Sequence, residues 1–424
     1  MHLALVVLFG CITGLVYLEA PQPFNANGGD NLWYVPTAMS LAHRSTLNVS
    51  RFRADLSAQK PADVWINVLD ADPRLTQIGD RRVNRFPIGP SLLALPLVPL
   101  VEPLLVDVQS PLQRAGRIAA IAAALTATIS VLMVLWLVFM LTRSWPLAWS
   151  LGLFHAFGTP QFSTHHSGFW SHNAVQPFIL LALLLMVARD GRYVWLGAVP
   201  LVLAYATRPD ASILIAAYSI CVVLLFRGAS VRYFALLGVG MAAFFAWSHS
   251  VFGTWRPPYY GLIAGTPIFS GEALLGTLFS PNRGLFIFAP VYLLCVAGGL
   301  LVVWRWRRYH AIYLIAAVVA GGQWLIIATF DPTWWGGFSF GPRLFCPVLP
   351  LLTILMIPAL EEIRVRHGST GRMLRALVGL ALLWSVFVQA RGSFAAGPHE
   401  WNYNPNVDLH PEQVWNWSDM QILR

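Results

Sequence analysis

The chain has 424 residues, of which 57% are hydrophobic and only 11% charged, whereas an ordinary soluble domain carries about 25% charged residues. Its mean hydropathy is +0.60. A folded soluble chain of this size cannot bury so large an apolar fraction. The composition therefore excludes a soluble enzyme, a disordered protein and a nucleic-acid module. The formal net charge of +9 comes from small groups of arginines between apolar segments, which is the positive-inside pattern of a multi-pass membrane protein, and not from a contiguous basic face.

The N-terminal part of the sequence combines one apolar segment with a long polar loop. Residues 2–18 fit a first membrane helix, or alternatively a signal peptide, but no Lys or Arg precedes them, so we favour the uncleaved helix. Residues 19–85 are rich in Asp and Arg and form the predicted first outer loop. Within this loop, residues 31–43 mix aromatic and polar side chains at helical spacing, which predicts a helix lying at the membrane interface.

Eleven further apolar stretches follow, and several reach the roughly 20 residues needed to cross a bilayer core of about 30 Å. They lie at 88–106, 115–141, 146–162, 172–187, 193–206, 211–226, 232–250, 284–303, 309–329, 344–360 and 373–390. Arginines in alternate short connections assign those connections to the cytoplasm, and the other connections to the outside. If 88–106 crossed the membrane once, the arginine-bearing connections after it would lie outside and not in the cytoplasm. The segment is therefore re-entrant, or a tight hairpin, or 115–141 contains a break.

The predicted fold class is therefore an all-α, polytopic transmembrane helical bundle of 11–13 spans, with interfacial helices in the first outer loop. Residues 1–390 form one membrane-embedded module, with outer loops at 19–85, 251–283 and 330–343. Residues 391–424 form a short outward-facing tail. The four cysteines are scattered through apolar runs, which is typical of small buried side chains and not of a disulfide frame or a metal site.

Polar residues of functional type gather in the outward connections. Asp30 follows two glycines just beyond the first helix, which favours either a general base that takes a proton from a hydroxyl or an N-cap of the helix at 31–43. Arg85 lies where the polar loop re-enters the membrane, and it is either a phosphate ligand or an interfacial arginine with its charge in water.

A second group of candidates lies in two short connections. The sequence THHSGFWSHN contains His165, His166 and His172. No cysteine or acidic cluster accompanies them, so we predict substrate contacts there and no metal. Arg208 and Asp210 flank Pro209, which stops a helix, and they form either an ion pair or a phosphate or sugar contact.

The last candidates lie in the two longer outer loops. Tyr259 and Tyr260 are amphipathic rings suited to an interface or to a sugar face. The stretch WWGGFSFGPR ends at Arg343, whose guanidinium can hold a phosphate through two hydrogen bonds. In the same stretch, Trp335 offers a stacking surface. An interfacial aromatic belt explains the tryptophans, but not the added Gly-Gly and Gly-Pro-Arg.

These motifs together resemble the C-type (GT-C) integral-membrane glycosyltransferases, a superfamily that includes the protein O-mannosyltransferases and the lipid A aminoarabinose transferases. The resemblance covers almost the whole chain. It rests on the Asp30 loop, RFPIGPSLL (85–93), FWSHN (169–173), TRPDA (207–211), FGTWRPPYYG (252–261), SPNRGLFIFAP (280–290) and WWGGFSFGPR (334–343).

The resemblance implies an inverting glycosyltransferase of the cell membrane whose active site faces the exterior and whose donor is a polyprenyl-phosphate sugar. Asp30 would be the general base, and Arg85, Arg208 and Arg343 would hold the donor phosphate. His165, His166, His172, Asp210, Tyr259, Tyr260 and Trp335 would contact the substrates. No cofactor is expected, because Asn31 replaces the second acidic residue that some members carry. The sugar, the acceptor (a lipid, a glycan or a protein) and the oligomeric state stay open. The alternatives are a flippase or transporter of lipid-linked sugars and a non-catalytic assembly protein.

Overall fold

The structure, a computed structural model, describes residues 2–20, 31–52, 72, 74–165, 168–262, 269–305, 311–329 and 333–424. It is 76% helical, which confirms the all-α class. The first helices are α1 (His2–Glu19), α2 (Tyr34–Arg44), α3 (Gly89–Ala94), α4 (Leu97–Val101), α5 (Pro111–Thr142), α6 (Trp145–Phe157), α7 (Pro160–His165), α8 (Ser171–Ala174), α9 (Gln176–Val187) and α10 (Ala198–Thr207). The others are α11 (Ser212–Leu225), α12 (Arg227–Phe252), α13 (Pro258–Leu262), α14 (Gly271–Phe279), α15 (Leu285–Phe288), α16 (Leu293–Trp304), α17 (Ala311–Ala328), α18 (Leu349–Val365), α19 (Gly368–Phe394) and α20 (Gly397–Glu400).

Seven helical segments of the described chain are long and apolar enough to cross a membrane: His2–Glu19, Pro111–Thr142, Ser171–Gly191, Arg227–Phe252, Ala311–Ala328, Arg343–Val365 and Gly368–Phe394. Four shorter apolar helical segments accompany them: Gly89–Leu104, Val194–Thr207, Pro209–Leu225 and Pro290–Trp304. The chain is thus a multi-pass membrane protein. The number of crossings depends on the four shorter segments, so 11–13 spans stays a prediction.

Helix α5 is the longest described helix and organises the N-terminal half. Its 32 residues extend about 48 Å at 1.5 Å per residue. The Ser110 side chain caps its start by accepting a hydrogen bond from the Gln113 N–H, and Arg143 ends it in a left-handed conformation. The helix is continuous, which removes the possibility that 115–141 contains a break.

The segment 88–106, where the parity conflict arises, is a short interrupted helix. This segment forms two short helices, α3 and α4, separated at Pro96, and a 3-10 turn at Glu102–Leu104. Ala94 and Val98 are buried in one apolar cluster with Leu112 and Ala115, at the start of α5. Both short helices pack near the same end of α5, and the re-entrant and tight-hairpin interpretations of this segment stay predictions.

The segment between α1 and α3 contains the predicted helix and one element that the sequence pattern did not predict. Helix α2 has its first two turns, from Tyr34 to Ser40, buried in protein, so protein and not lipid covers this part of it. The following element is an antiparallel hairpin of β1 (Leu75–Ile78) and β2 (Arg81–Asn84). The hairpin carries the chain to Arg85, directly before α3.

The C-terminal tail folds back onto the bundle. Trp401, Val407 and Val414 are buried in the largest apolar cluster of the molecule, together with residues of α18. Short 3-10 turns at Pro411–Trp415 and Gln421–Leu423 shape the rest of the tail. The predicted tail is therefore a packed cap over one end of the helices.

Candidate active site

The segment Trp170–His172 lies at the centre of the candidate site. It lies between α7 and α9 and includes the start of α8, and Phe169 and Ala174 on either side of it are buried against the first part of α5. A Cβ atom built on Gly168 would lie 2.7 Å from the Asn31 side-chain nitrogen and 2.6 Å from Trp170 Nε1. Only glycine fits so close an approach. The residue that follows Asp30 in the chain thus lies against the FWSHN motif.

Arg208 is bound to this segment and to Asp210. Its guanidinium donates to both Asp210 carboxylate oxygens at 2.7–3.0 Å, to His172 Nδ1 at 2.8 Å and to Ser171 Oγ at 3.2 Å. Since arginine has no acceptor, this nitrogen of His172 must be the unprotonated one. The side chains of Arg208 and Asp210 are only 12% and 10% exposed.

The ion pair keeps Arg208 cationic. Burial by itself would lower the pKa of Arg208, but the charge and hydrogen bonds of Asp210 outweigh burial and raise it. Local sequence explains the geometry, because α10 ends at Thr207, Arg208 is extended and Pro209 begins a new 3-10 turn. The structure thus realises the ion-pair alternative for this motif, with His172 included.

The re-entry motif and the Tyr259–Tyr260 motif pack beside this ion pair. A Cβ on Gly89 would lie 2.0 Å from Thr207 Oγ1, so the start of α3 touches the end of α10. The Phe86 and Tyr259 rings are 5.0 Å apart between centroids. Tyr260 is buried and donates to the Tyr205 carbonyl oxygen, which gives it a packing role.

Arg343 lies on the other side of the central segment. Its guanidinium carbon is 4.9 Å from the centroid of the Trp170 ring, a cation–π contact. Together these two side chains line a recess with Ser339, Phe338, Phe340, Ser163, Thr164 and His399. Among the described residues, Arg343 Nε, Trp170 Nε1 and Ser339 Oγ are buried without a hydrogen-bond partner. Three donors therefore line one recess, whose volume of about 10 Å³ gives room for a single acceptor oxygen.

Trp335 and Arg283 connect the WWGG loop to the tail. The Trp335 indole is 6% exposed and donates to Asp408 Oδ1 at 2.9 Å, so its N–H is already used within the protein. Arg283, which is fully buried, donates to the carbonyl oxygens of Trp335 and Gly337. Burial first, and then the charge of Arg343, lowers the pKa of Arg283 to about 9, which leaves it protonated at neutral pH.

The structure describes the remaining candidate residues only in part or not at all. Asp30 and His166 lie outside the described residues, and His165 ends α7 with its side chain outside them. Arg85 is half-buried, and its backbone N–H donates to the Arg74 carbonyl oxygen. Helix α2 begins at Tyr34 with Trp33 as its N-cap residue, so the N-cap interpretation of Asp30 is wrong.

The sequence interpretation missed two participants. Arg283 appeared there only within the motif SPNRGLFIFAP and was not a candidate site residue. Ser339 has no distinctive signal, because a serine between two phenylalanines is as common in packing as in binding. Within the described ranges, no group of three or more His, Cys, Asp or Glu side chains comes together to hold a metal ion.

No family model matches the chain, and no match is found among the curated proteins. The chemistry of the two arginines and the recess is therefore the basis for assigning a function.

Proposed function

We propose that this protein is a glycosyltransferase that moves a sugar from a polyprenyl-phosphate donor to an acceptor hydroxyl on the outer face of the cell membrane, with inversion. The observation that carries this proposal is the recess at Arg343. It joins the buried Nε–H of Arg343, the indole N–H of Trp170 and the Ser339 hydroxyl, none of which has a hydrogen-bond partner in the described chain. A phosphate or a sugar offers the oxygen acceptors that such a site lacks.

The proposed chemistry uses one base and one fixed cation. The acceptor oxygen bonds to the anomeric carbon while the bond from that carbon to the phosphate oxygen breaks. Asp30 takes the acceptor proton, and the lipid phosphate leaves with its negative charge. Arg343 stabilises this growing charge, because a fixed cation in a poorly solvated cleft acts strongly on a developing anion.

The ion pair at Arg208 has a supporting role in this scheme. Asp210 occupies its guanidinium, so Arg208 acts chiefly by fixing Ser171 and His172 next to Trp170. Arg343 keeps its Nε donor without a partner and is the better phosphate ligand of the two. Trp335, whose N–H is bound to Asp408, is proposed to shape the loop and not to stack on the sugar.

Lipid binding tests this proposal directly. The purified chain in nanodiscs is titrated with a photoreactive polyprenyl phosphate, and polyprenol and polyprenyl phosphate compete for labelling. We expect polyprenyl phosphate to compete and polyprenol to compete at least tenfold less well. Arg343→Gln should weaken labelling at least tenfold, while Arg372→Gln, which removes an exposed arginine, should not. Equal competition by both lipids would refute a phosphate site.

A further inference from the structure

Gln421 lies in the C-terminal tail and is fully buried. Its side-chain amide uses all four of its hydrogen-bonding positions. The oxygen Oε1 accepts from a terminal nitrogen of Arg283 at 2.7 Å and from the Gly341 N–H at 3.2 Å. The nitrogen Nε2 donates to the carbonyl oxygens of Ser339 at 2.9 Å and of Pro398 at 2.8 Å. Because two of these partners can only donate and two can only accept, the orientation of the amide is fixed.

Two of the four bonds hold the loop that forms the Arg343 recess. Ser339 and Arg343 both line this recess. Gly341 lies between them, and its carbonyl oxygen accepts from the Arg343 backbone N–H at 2.9 Å. Gly341 is in the left-handed region, and a Cβ atom built on it would lie 2.5 Å from the Phe288 ring, so this turn has little room to move. Gln421 therefore holds Ser339 directly and Arg343 through Gly341.

The position of the recess wall matters because the recess is small. Its volume of about 10 Å³ gives room for a single acceptor oxygen. Hydrogen bonds weaken outside a donor–acceptor distance of about 2.7–3.2 Å, and a misplacement of about 1 Å can lower activity about 100-fold. The tail takes part in this wall, since His399 also lines the recess.

We propose that Gln421 is a positioning residue for the donor phosphate, which holds the Ser339 hydroxyl and the Arg343 Nε–H at the spacing at which both donate to one phosphate oxygen. Gln421 acts through the backbone of the loop, and it is not among the residues that line the recess. The inference rests on the proposed function and extends it, because it makes the C-terminal tail a part of the donor site.

Donor affinity and tail docking are measured on the same variants of the full chain in nanodiscs. Labelling by the photoreactive polyprenyl phosphate reports donor affinity. Hydrogen exchange of the Trp401 N–H, which donates to the Gly397 carbonyl oxygen, reports tail docking. In Gln421→Glu, the carboxylate still accepts from Arg283 and from the Gly341 N–H, but it cannot donate to the two carbonyl oxygens. We expect labelling to weaken at least tenfold, while Trp401 exchange stays within threefold of the wild type.

A neutral variant separates positioning from the added charge. Gln421→Asn keeps the amide but is one carbon shorter, so it cannot reach the tail and the loop together, and labelling should again weaken at least fivefold. Gln413 supplies the matched controls, because it is a buried amide of the same tail that donates to the Pro405 carbonyl oxygen. Gln413→Glu and Gln413→Asn should leave labelling within twofold of the wild type.

The outcomes distinguish the positioning role from the proposed function. Unchanged labelling in Gln421→Glu would overturn the positioning role. Weaker labelling in Gln421→Glu but not in Gln421→Asn would also overturn it, since repulsion of the phosphate then explains the loss. Trp401 exchange more than threefold faster in Gln421→Glu would assign the loss to undocking of the tail instead. A wild type that does not distinguish polyprenyl phosphate from polyprenol would overturn the proposed function, and this inference with it.

Discussion

Replacing Arg283 with Met is expected to undock the C-terminal tail. The Arg283 side chain is 2% exposed, and it donates to the tail at Asn402 Oδ1 and Gln421 Oε1, both at 2.7 Å. It also donates to the WWGG loop at the carbonyl oxygens of Trp335 and Gly337. One buried cation therefore joins two segments that lie far apart in sequence.

The expected magnitude follows from these bonds. A hydrogen bond to a charged group contributes about 1.5–3 kcal/mol, and two such bonds hold the tail. Met keeps much of the apolar volume but leaves the Asn402 oxygen without its charged donor, so we expect a loss of about 3–6 kcal/mol, the sum of the two bonds. At about 1.4 kcal/mol per factor of ten, the open form of the tail becomes at least 100-fold more populated.

Backbone hydrogen exchange measures this population. In the docked tail, the Gln421 N–H donates to Asn282 Oδ1 and the Trp401 N–H donates to the Gly397 carbonyl oxygen. We expect both amides to exchange at least 100-fold faster in Arg283→Met. Arg424→Gln changes an exposed arginine of the same tail and should have little effect. Exchange that stays within threefold of the wild type in Arg283→Met would refute the reasoning.

For three more changes, two substitutions and one change of pH, the structure predicts whether the stability of the fold rises or falls. Gly89→Ala places a methyl group 2.0 Å from Thr207 Oγ1 and should lower the unfolding free energy by about 1–3 kcal/mol, seen as a lower thermal midpoint. Asp210→Asn leaves Arg208 buried without its countercharge and should cost about 3–5 kcal/mol in the same assay. Burial lowers the pKa of His399, so the unfolded chain binds its proton more readily. The stability due to neutral His399 is therefore present above pH about 6.5 and is lost as pH falls, a dependence that His399→Gln should reduce.

Matched variants separate these effects from general damage. Gly238→Ala, where no atom lies within 4 Å of the added carbon, should be neutral or stabilising by up to about 1 kcal/mol. Asp190→Asn changes an exposed carboxylate and should leave the thermal midpoint in place. A midpoint for Gly89→Ala or Asp210→Asn equal to that of its control would contradict the assigned contact. If the thermal midpoint changed equally with pH between 5 and 7 in the wild type and in His399→Gln, the predicted contribution of His399 would be contradicted.

The apolar segments predicted the helical class because continuous runs of nearly 20 apolar residues are typical of membrane helices, whereas the strands of a membrane barrel alternate apolar and polar residues. The helix at 31–43 was predictable from its periodicity, and the structure has it at Tyr34–Arg44. The β-hairpin was not predictable from the sequence. Its second strand, Arg81–Asn84, does not alternate apolar and polar residues, and Val83 is its only strong strand former. Whether 88–106 is re-entrant stays a prediction, since hydropathy does not report where a segment turns back.

In the candidate site, too, some contacts were predictable from the sequence and others depend on the tertiary fold. Arg208 and Asp210 were predictable as partners because Pro209 places them in one turn. That Ser171 and His172 complete their network depends on the packing of α8 beside α10, which no local pattern contains. The burial of Arg283 and its bonds to a tail more than 100 positions away are likewise products of the tertiary fold. Asp30 keeps the role that the resemblance implies for it as a prediction.

The most direct test of the central claim is sugar transfer by membranes that contain the wild type or Asp30→Asn. A panel of radiolabelled polyprenyl-phosphate sugars is added, and the label that leaves the lipid is measured. We expect the wild type to release or transfer the sugar from at least one donor. We expect Asp30→Asn, present at the same amount of folded protein, to do neither. Equal turnover by the two proteins would contradict the assignment of Asp30 as the base. No turnover together with no photocrosslinking of any polyprenyl-phosphate donor would contradict the glycosyltransferase itself.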